Sequence, residues 1–353
     1  MITAQAPGKM ILLGEYAVLN GAPALVCAVD RLAKVHLQAN PKNEFQLNSP
    51  ALGIPAQPFV VTPSGKVRFD PQLDKAIAVR LTFFQTIFEK YWEYFKNHDR
   101  RIPALQISLD TMAFYSDRLQ SKLGFGSSAA MTVALMRALC QIGGSDERYS
   151  PDNLFGQSLQ AHRLAQGNLG SGIDVAASVY GGALIYEMSR ADSLQKIPQP
   201  VEVWQELLIL PVWTGRSAST RSMVRGVDRL KESDAALYGE LMNRLAHCSQ
   251  QGCRAYMQKD FTAFFEAVKE FYQTLSQLGK KSAMPIISPA HQKLANIAES
   301  VGTVYKPSGA GSGDIGVAFS DSAEKIGLLK QAVQQAGFEA LDVRICRRGV
   351  GLI

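Results

Sequence analysis

The chain has 353 residues, 46% apolar and 19% charged, with 37 Lys and Arg against 31 Asp and Glu for a formal charge of +6. That mixture excludes a disordered or fibrous chain, and no apolar run approaches the roughly 20 residues that span a bilayer. The basic excess favours an anionic ligand, and because basic residues come as pairs and not as runs, a phosphorylated small molecule suits it better than nucleic acid.

In chain order, residues 9–13 and 24–29 read as strands joined through an Asn20-Gly21 turn, and 31–37 alternates as a half-buried strand. Residues 41–71, rich in Pro, Gly, Asn and Ser, read as loops with short strands. Across 73–95 Ile77, Leu81, Phe84, Phe88, Tyr91 and Phe95 recur at helical spacing, which predicts an amphipathic core helix. A strand is predicted next at 105–109. A buried helix is predicted at 131–139, stopped by Gly143-Gly144-Ser145. Ser150 and Pro151 supply the cap and first residue of a helix to about 165. Glycines 167, 170 and 172 force a loop before Asp174, and 179–186 reads as a strand after a turn at Gly181-Gly182.

The proline-flanked stretch 197–200 is the preferred domain boundary, dividing the chain into 1–198 and 199–353. Beyond it come a strand at 207–212, helical patterns over 219–278 and 289–301, and a glycine-rich hairpin-like loop within 301–319. A helix at 323–336 and a last strand at 340–345 complete the chain. Strands and helices mix without strict βαβ alternation, so the class is α+β. Five cysteines, odd in number and without a CxxC pair, read as reduced thiols and not as a disulfide framework or zinc site. With no signal-like opening, the expected setting is cytoplasmic, with no membrane or nucleic-acid partner and a monomer or homodimer as the assembly.

Three glycine-rich segments carry the chemistry. In Lys122-Leu123-Gly124-Phe125-Gly126-Ser127-Ser128-Ala129-Ala130, two glycines allow close backbone approach and small residues open a helix with outward N–H groups, an arrangement suited to a phosphate. Ser127 and Ser128 add hydroxyls, and one could ligate Mg²⁺; a tight loop with a serine cap is the bland alternative. No GxxxxGK[ST] loop occurs, and the GxGxxA match lacks the preceding apolar strand of a dinucleotide site. Lys306-Pro307-Ser308-Gly309-Ala310-Gly311-Ser312-Gly313-Asp314 can form a second anion concavity or a simple hairpin. Asp174, after Gly170-Ser171-Gly172, could merely cap a helix, and Lys9 could merely end a strand.

Together these segments resemble the GHMP kinase superfamily, which includes galactokinases, homoserine kinases and mevalonate kinases. The first family motif corresponds to residues 6–18, the second to 124–130 and the third to 306–316, in family order. Within the superfamily, Ala161-His162-Arg163-Leu164-Ala165-Gln166-Gly167 leading to Asp174, and Trp213-Thr214-Gly215-Arg216-Ser217-Ala218-Ser219-Thr220, look like the bacterial and fungal phosphomevalonate kinases. Phe125, Ser312 and His162 depart from the usual pattern, the last where mevalonate kinases place a metal-binding glutamate.

The resemblance implies an N-terminal domain like ribosomal protein S5, a ferredoxin-like C-terminal domain, and ATP with Mg²⁺ between them. It implies Lys9 and Asp174 as catalytic residues, Lys122, Gly124, Gly126, Ser127, Ser128 and Ala129 around the ATP phosphates, and Ser128 on the metal. Glu15, Tyr16, Arg216, Ser217, Ser219, Lys306, Ser308, Gly309 and Gly311 would face a phosphorylated or hydroxylated acid. The competing readings are an alcohol kinase of the same family, a non-catalytic nucleotide sensor and, weakest, a nicotinamide oxidoreductase.

Overall fold

The apolar run after Lys9 is the second half of β1 (Ile2–Leu13), which lies antiparallel to β2 (Ala24–Ala39) with Lys9 opposite Ala28. The structure, a computed structural model, describes all residues except 97–101, 117, 143–149, 169 and 190–195. The register shifts between Pro7 and Gly8, where Asp30 and Arg31 of β2 have no opposite residue, and the core-facing side of β1 changes across this irregularity. Before it Ala4 and Ala6 pack into one core; after it Ile11 stays there while Met10 and Leu12 turn into a second.

Three short strands, β3 (Phe45–Ser49), β4 (Ile54–Val61) and β5 (Val67–Phe69), extend the sheet. Across them lies α1 (Lys75–Lys96), with Phe84, Phe88, Tyr91 and Phe95 buried and Val79 exposed, as its spacing predicts. Phe45, Phe59, Phe88 and Trp92 meet there at centroid distances of 5.2–6.1 Å. β6 (Leu105–Asp110) joins β2 antiparallel and β3 parallel. A small hairpin, β7 (Tyr115–Ser116) and β8 (Ser121–Lys122), precedes α2 (Ser127–Ile142), α3 (Pro151–Ala165) and α4 (Ile173–Tyr180). Ser150 caps α3 by accepting the Asn153 amide at 3.1 Å. The predicted stop at Gly143-Gly144-Ser145 lies outside the described residues.

Two predicted strands need correction. Val179 and Tyr180 end α4; Gly181 and Gly182, at φ 72° and 62°, then turn the chain, and only β9 (Ala183–Tyr186) is extended. β10 (Gln199–Val201) adds to β9, so the order is β10-β9-β2-β6-β3-β4-β5 with β1 along β2.

After β11 (Leu208–Trp213), the helical stretch divides into α5 (Thr220–Ser233), α6 (Ala235–Gln258) and α7 (Phe261–Lys281). Asp234 and Asp260 make the breaks by capping α6 and α7. α8 (Pro289–Ser300), β12 (Val304–Ser308), β13 (Ile315–Ser320), α9 (Ala323–Gln335) and β14 (Glu339–Ala340) complete an antiparallel sheet in the order β12-β13-β11-β14. The strand predicted at 340–345 is the second correction. β14 ends after two residues because its next partner, Pro211, accepts from Leu341 but has no N–H to return. Ile345 bridges Val29, and β15 (Gly351–Leu352) pairs with β1, so the tail runs back to the first sheet.

The first core fills the space between the large sheet and α1–α4. The second joins Met10, Leu12 and Cys27 of that sheet to Phe271 and Leu275 of α7 and Val317 and Phe319 of β13. Among the described residues no helix is long and apolar enough to cross a membrane.

Candidate active site

Lys9 follows directly on the register shift at Pro7–Gly8, where Asp30 and Arg31 of β2 have no opposite residue in β1. A Cβ on Gly8 would come within 2.6 Å of the Phe125 carbonyl oxygen, and the next amide, of Lys9, donates to that oxygen at 2.8 Å. The 122–128 loop therefore lies directly against the strand. Gly124 and Gly126 hold φ of 76° and 79°, which side-chain-bearing residues rarely adopt. A Cβ on Gly126 would stand 3.1 Å from Lys9 Cγ and 3.7 Å from Asp174 Cβ, so this glycine sits between the two charged side chains. α2 opens immediately after it, with the Gly126 carbonyl accepting the Ala130 amide at 3.2 Å. The amides of Ser127, Ser128 and Ala129 thus have no intrahelical acceptor, and the helix dipole adds partial positive charge there.

Asp174 occupies the first turn of α4, which is capped by Gly172 at φ 88°. Ser178, one turn on, donates to the Pro7 carbonyl at 2.7 Å and so fastens the helix beside the segment of β1 that carries Lys9. The Ser171 carbonyl just before Asp174 accepts the Tyr186 hydroxyl at 2.6 Å and Arg163 Nη2 at 3.0 Å. Buried His162 places Nε2 3.3 Å from both Ser128 Oγ and Gln166 Nε2. An amide N–H facing Nε2 makes that nitrogen an acceptor, so the Ser128 hydroxyl donates to it and the ring proton is on Nδ1. Burial lowers the His162 pKa, with Asp174 opposing and Arg163 reinforcing the shift, which keeps the imidazole neutral.

The third side is the β12–β13 turn. Ser308 Oγ accepts the Ile11 amide at 3.0 Å and donates to the Ile11 carbonyl at 2.9 Å, and Tyr16 donates to the Ala310 carbonyl at 2.6 Å. Glu15 Oε1 accepts from Lys306 Nζ at 2.5 Å and from the Gly309 amide at 3.3 Å. Burial pulls the Lys306 pKa down while Glu15 pulls it back. Asp314, at φ 55°, presses on Gly124 and accepts the Ala218 amide at 3.3 Å. Burial raises its carboxyl pKa against the opposing pull of that bond and of Lys9. The three sides enclose a cavity of about 330 Å³.

Residues 86–182, which include the anion loop and Asp174, match the GHMP kinases N terminal domain family. Over that segment the chain is similar to the GHMP kinases. Phosphomevalonate kinase of Streptomyces sp. (strain CL190) is 29% identical over 99% of this chain and 98% of its own length. Mevalonate kinase of Pyrococcus abyssi is 25% identical, covering 99% and 97%. Among solved structures, Streptococcus pneumoniae phosphomevalonate kinase in complex with phosphomevalonate and AMPPNP superposes with a TM-score of 0.80 at 19% identity, over 98% of this chain and all of that one. The α+β arrangement of two sheets is thus the GHMP kinase fold.

Of the residues that the sequence put forward, the fold brings Lys9, Glu15, Tyr16, Lys122, Gly124, Gly126, Ser127, Ser128, Asp174, Ser217, Ser308 and Gly309 onto the cavity wall. Others lie off it. Ala129 is fully buried in α2. Arg216 gives Nε and Nη2 to the Ser312 carbonyl at 3.0 and 2.9 Å. Ser219 caps α5 by accepting the Ser222 amide, Lys306 is wholly buried, and Gly311 packs against Ile286. Asp314, Arg163 and Gln166 line the cavity or brace its wall although sequence reasoning assigned them no role. Asp314 closes a glycine string already singled out, whereas Arg163 is signalled only by its place beside His162.

Proposed function

We propose that this protein is a GHMP kinase that transfers the γ-phosphoryl group of ATP to the phosphate of phosphomevalonate, forming diphosphomevalonate. The observation that carries this reading is the placement of Lys9 and Asp174 on either side of Gly126, where the anion loop enters α2 inside one cavity. The likeness to the Streptomyces phosphomevalonate kinase over nearly the whole chain supports the acceptor.

Phosphoryl transfer depends mainly on alignment and on offsetting the charge spread over the transferred group. The free amides of α2, with Ser127 and Lys122, hold the triphosphate tail. Lys9 offsets charge on the transferred group, and its side chain reaches toward Gly309 of the third motif, where the acceptor lies. A phosphate monoester, with a second pKa of about 6, is already largely dianionic at neutral pH, so Asp174 aligns it and need not deprotonate it. Glu15 and Tyr16 fix the third-motif turn against β1, and Ser217 and Ser308 complete the acceptor side. The two domains, 1–198 and 199–353, flank the cleft, with β10 (199–201) and the tail both joined to the sheet of the first.

Among the described residues no three His, Cys, Asp or Glu cluster as a metal cage. Ser128 and Asp174 instead offer single oxygen donors on the cavity wall. That set fits Mg²⁺, which keeps most of its shell as water and phosphate oxygens. Ser128 would hold it, His162 orients that hydroxyl, and the ion when bound neutralises charge on the phosphates. An ADP-release assay with phosphomevalonate and mevalonate offered in parallel tests the proposal. Phosphomevalonate should give a kcat/KM at least about tenfold higher, equivalent to ~1.4 kcal/mol of transition-state preference. A preference for mevalonate would establish the alcohol-kinase alternative.

A further inference from the structure

Of the residues put forward for the acceptor, Arg216 and Ser219 lie off the cavity wall, the first on the Ser312 carbonyl and the second capping α5. Among the described residues, the Lys and Arg side chains on the cavity wall are Lys9, Lys122 and Arg163. Lys122 leads into the anion loop and Lys9 stands at Gly126, so both serve the triphosphate tail. Arg163 approaches from α3 behind the 170–172 segment that delivers Asp174.

Its guanidinium is fixed but not exhausted. Nη2 donates to the Ser171 carbonyl at 3.0 Å, and the Tyr186 hydroxyl on the same oxygen steadies that acceptor. Nε is buried without a hydrogen-bond partner, and the Ser171 contact uses only one N–H of the fork, so the guanidinium keeps donors that the protein does not use. A guanidinium carries five N–H donors in a planar fork that matches the oxygens of a phosphate.

We propose that Arg163 is a specificity-determining residue: its guanidinium binds the acceptor's phosphate and thereby selects a phosphate monoester over an uncharged alcohol. The inference rests on the proposed function, in which the acceptor is a phosphate. Lys9 and Lys122 balance only part of the charge on a triphosphate, and a second phosphate adds about 1.5 to 2 negative charges. Arg163 is the remaining cation on the cavity wall and supplies the missing charge.

The test is calorimetric titration of wild type, Arg163→Gln and Arg163→Lys with phosphomevalonate and with mevalonate, each in the presence of a non-hydrolysable ATP analogue. Arg163→Gln should weaken phosphomevalonate binding about 10- to 100-fold, the range for lost hydrogen bonds to a charged group. Mevalonate and the ATP analogue should each shift less than about threefold, and Arg163→Lys should recover part of the loss. Unchanged phosphomevalonate affinity, or an equal loss for both acceptors, would overturn the assignment and leave Arg163 as a brace for Ser171. If Arg163→Gln does not fold, Arg163→Lys decides: a selective loss for phosphomevalonate supports the role, and no selective loss removes it. Wild-type ADP release separates the two levels, since turnover of mevalonate with none of phosphomevalonate sinks the functional reading itself, whatever the variants bind.

Discussion

Glu15 is 3% exposed, with one carboxylate oxygen on the Lys306 ammonium and the other buried without a partner. Such a pair is weak evidence for stability, yet removing one member strands a charge in a low-dielectric interior. Lys306→Met should therefore destabilise the protein by about 3–5 kcal/mol in denaturant unfolding, and adding Glu15→Gln should restore most of that loss. A loss below about 1 kcal/mol for the single variant would mean that the ammonium is not paired as described. Sequence supplied the residue types at this scale but not their partners. Lys306 reads as an acceptor contact until the fold sets it under Glu15, nearly the length of the chain away. Arg216 and Ser219 mislead in the same way, because a guanidinium or hydroxyl near a motif can serve a carbonyl or a helix end as readily as a ligand.

At the scale of elements, the third-motif turn is held from behind by α8. His291, fully buried, places Nδ1 2.8 Å from the Tyr305 hydroxyl and Nε2 3.2 Å from the Gly313 carbonyl. A carbonyl accepts only, so Nε2 carries the proton, Tyr305 donates to Nδ1, and the ring is neutral. Burial drives its pKa down to about 4. In the unfolded chain the value is about 6.5, so between pH 6.5 and 4 the unfolded state binds more protons than the folded one. The stability of the neutral ring is complete above about pH 6.5 and falls as pH drops toward 4, by up to ~3 kcal/mol. Unfolding midpoints at pH 7 and pH 4.5 should differ more for wild type than for His291→Phe; equal differences would refute the assignment. Element types and caps were largely legible in the sequence: the α1 stripe, the Ser150 cap and the β12–β13 hairpin all follow from spacing and turn residues. The premature end of β14 was not, because it depends on a missing N–H at Pro211 in another strand.

At the scale of the molecule, a single strand links everything. β1 contributes to both large cores, brings Lys9 to the anion loop, pairs with the C-terminal tail and binds the third motif through Ser308. The three motifs, distant in sequence, converge because of that strand, and their order already indicated the GHMP kinases. The return of β15 was hidden, since a two-residue pairing leaves no periodic trace. The central claim is that Lys9 acts on the transferring phosphoryl group and not on the fold. Rapid-quench single-turnover measurement on Lys9→Met, with saturating ATP and phosphomevalonate, addresses it directly. The chemical step should fall by at least ~10²-fold, while ATP-analogue affinity stays within a few fold and the melting transition is retained. An unaltered chemical step in that folded variant would contradict the claim.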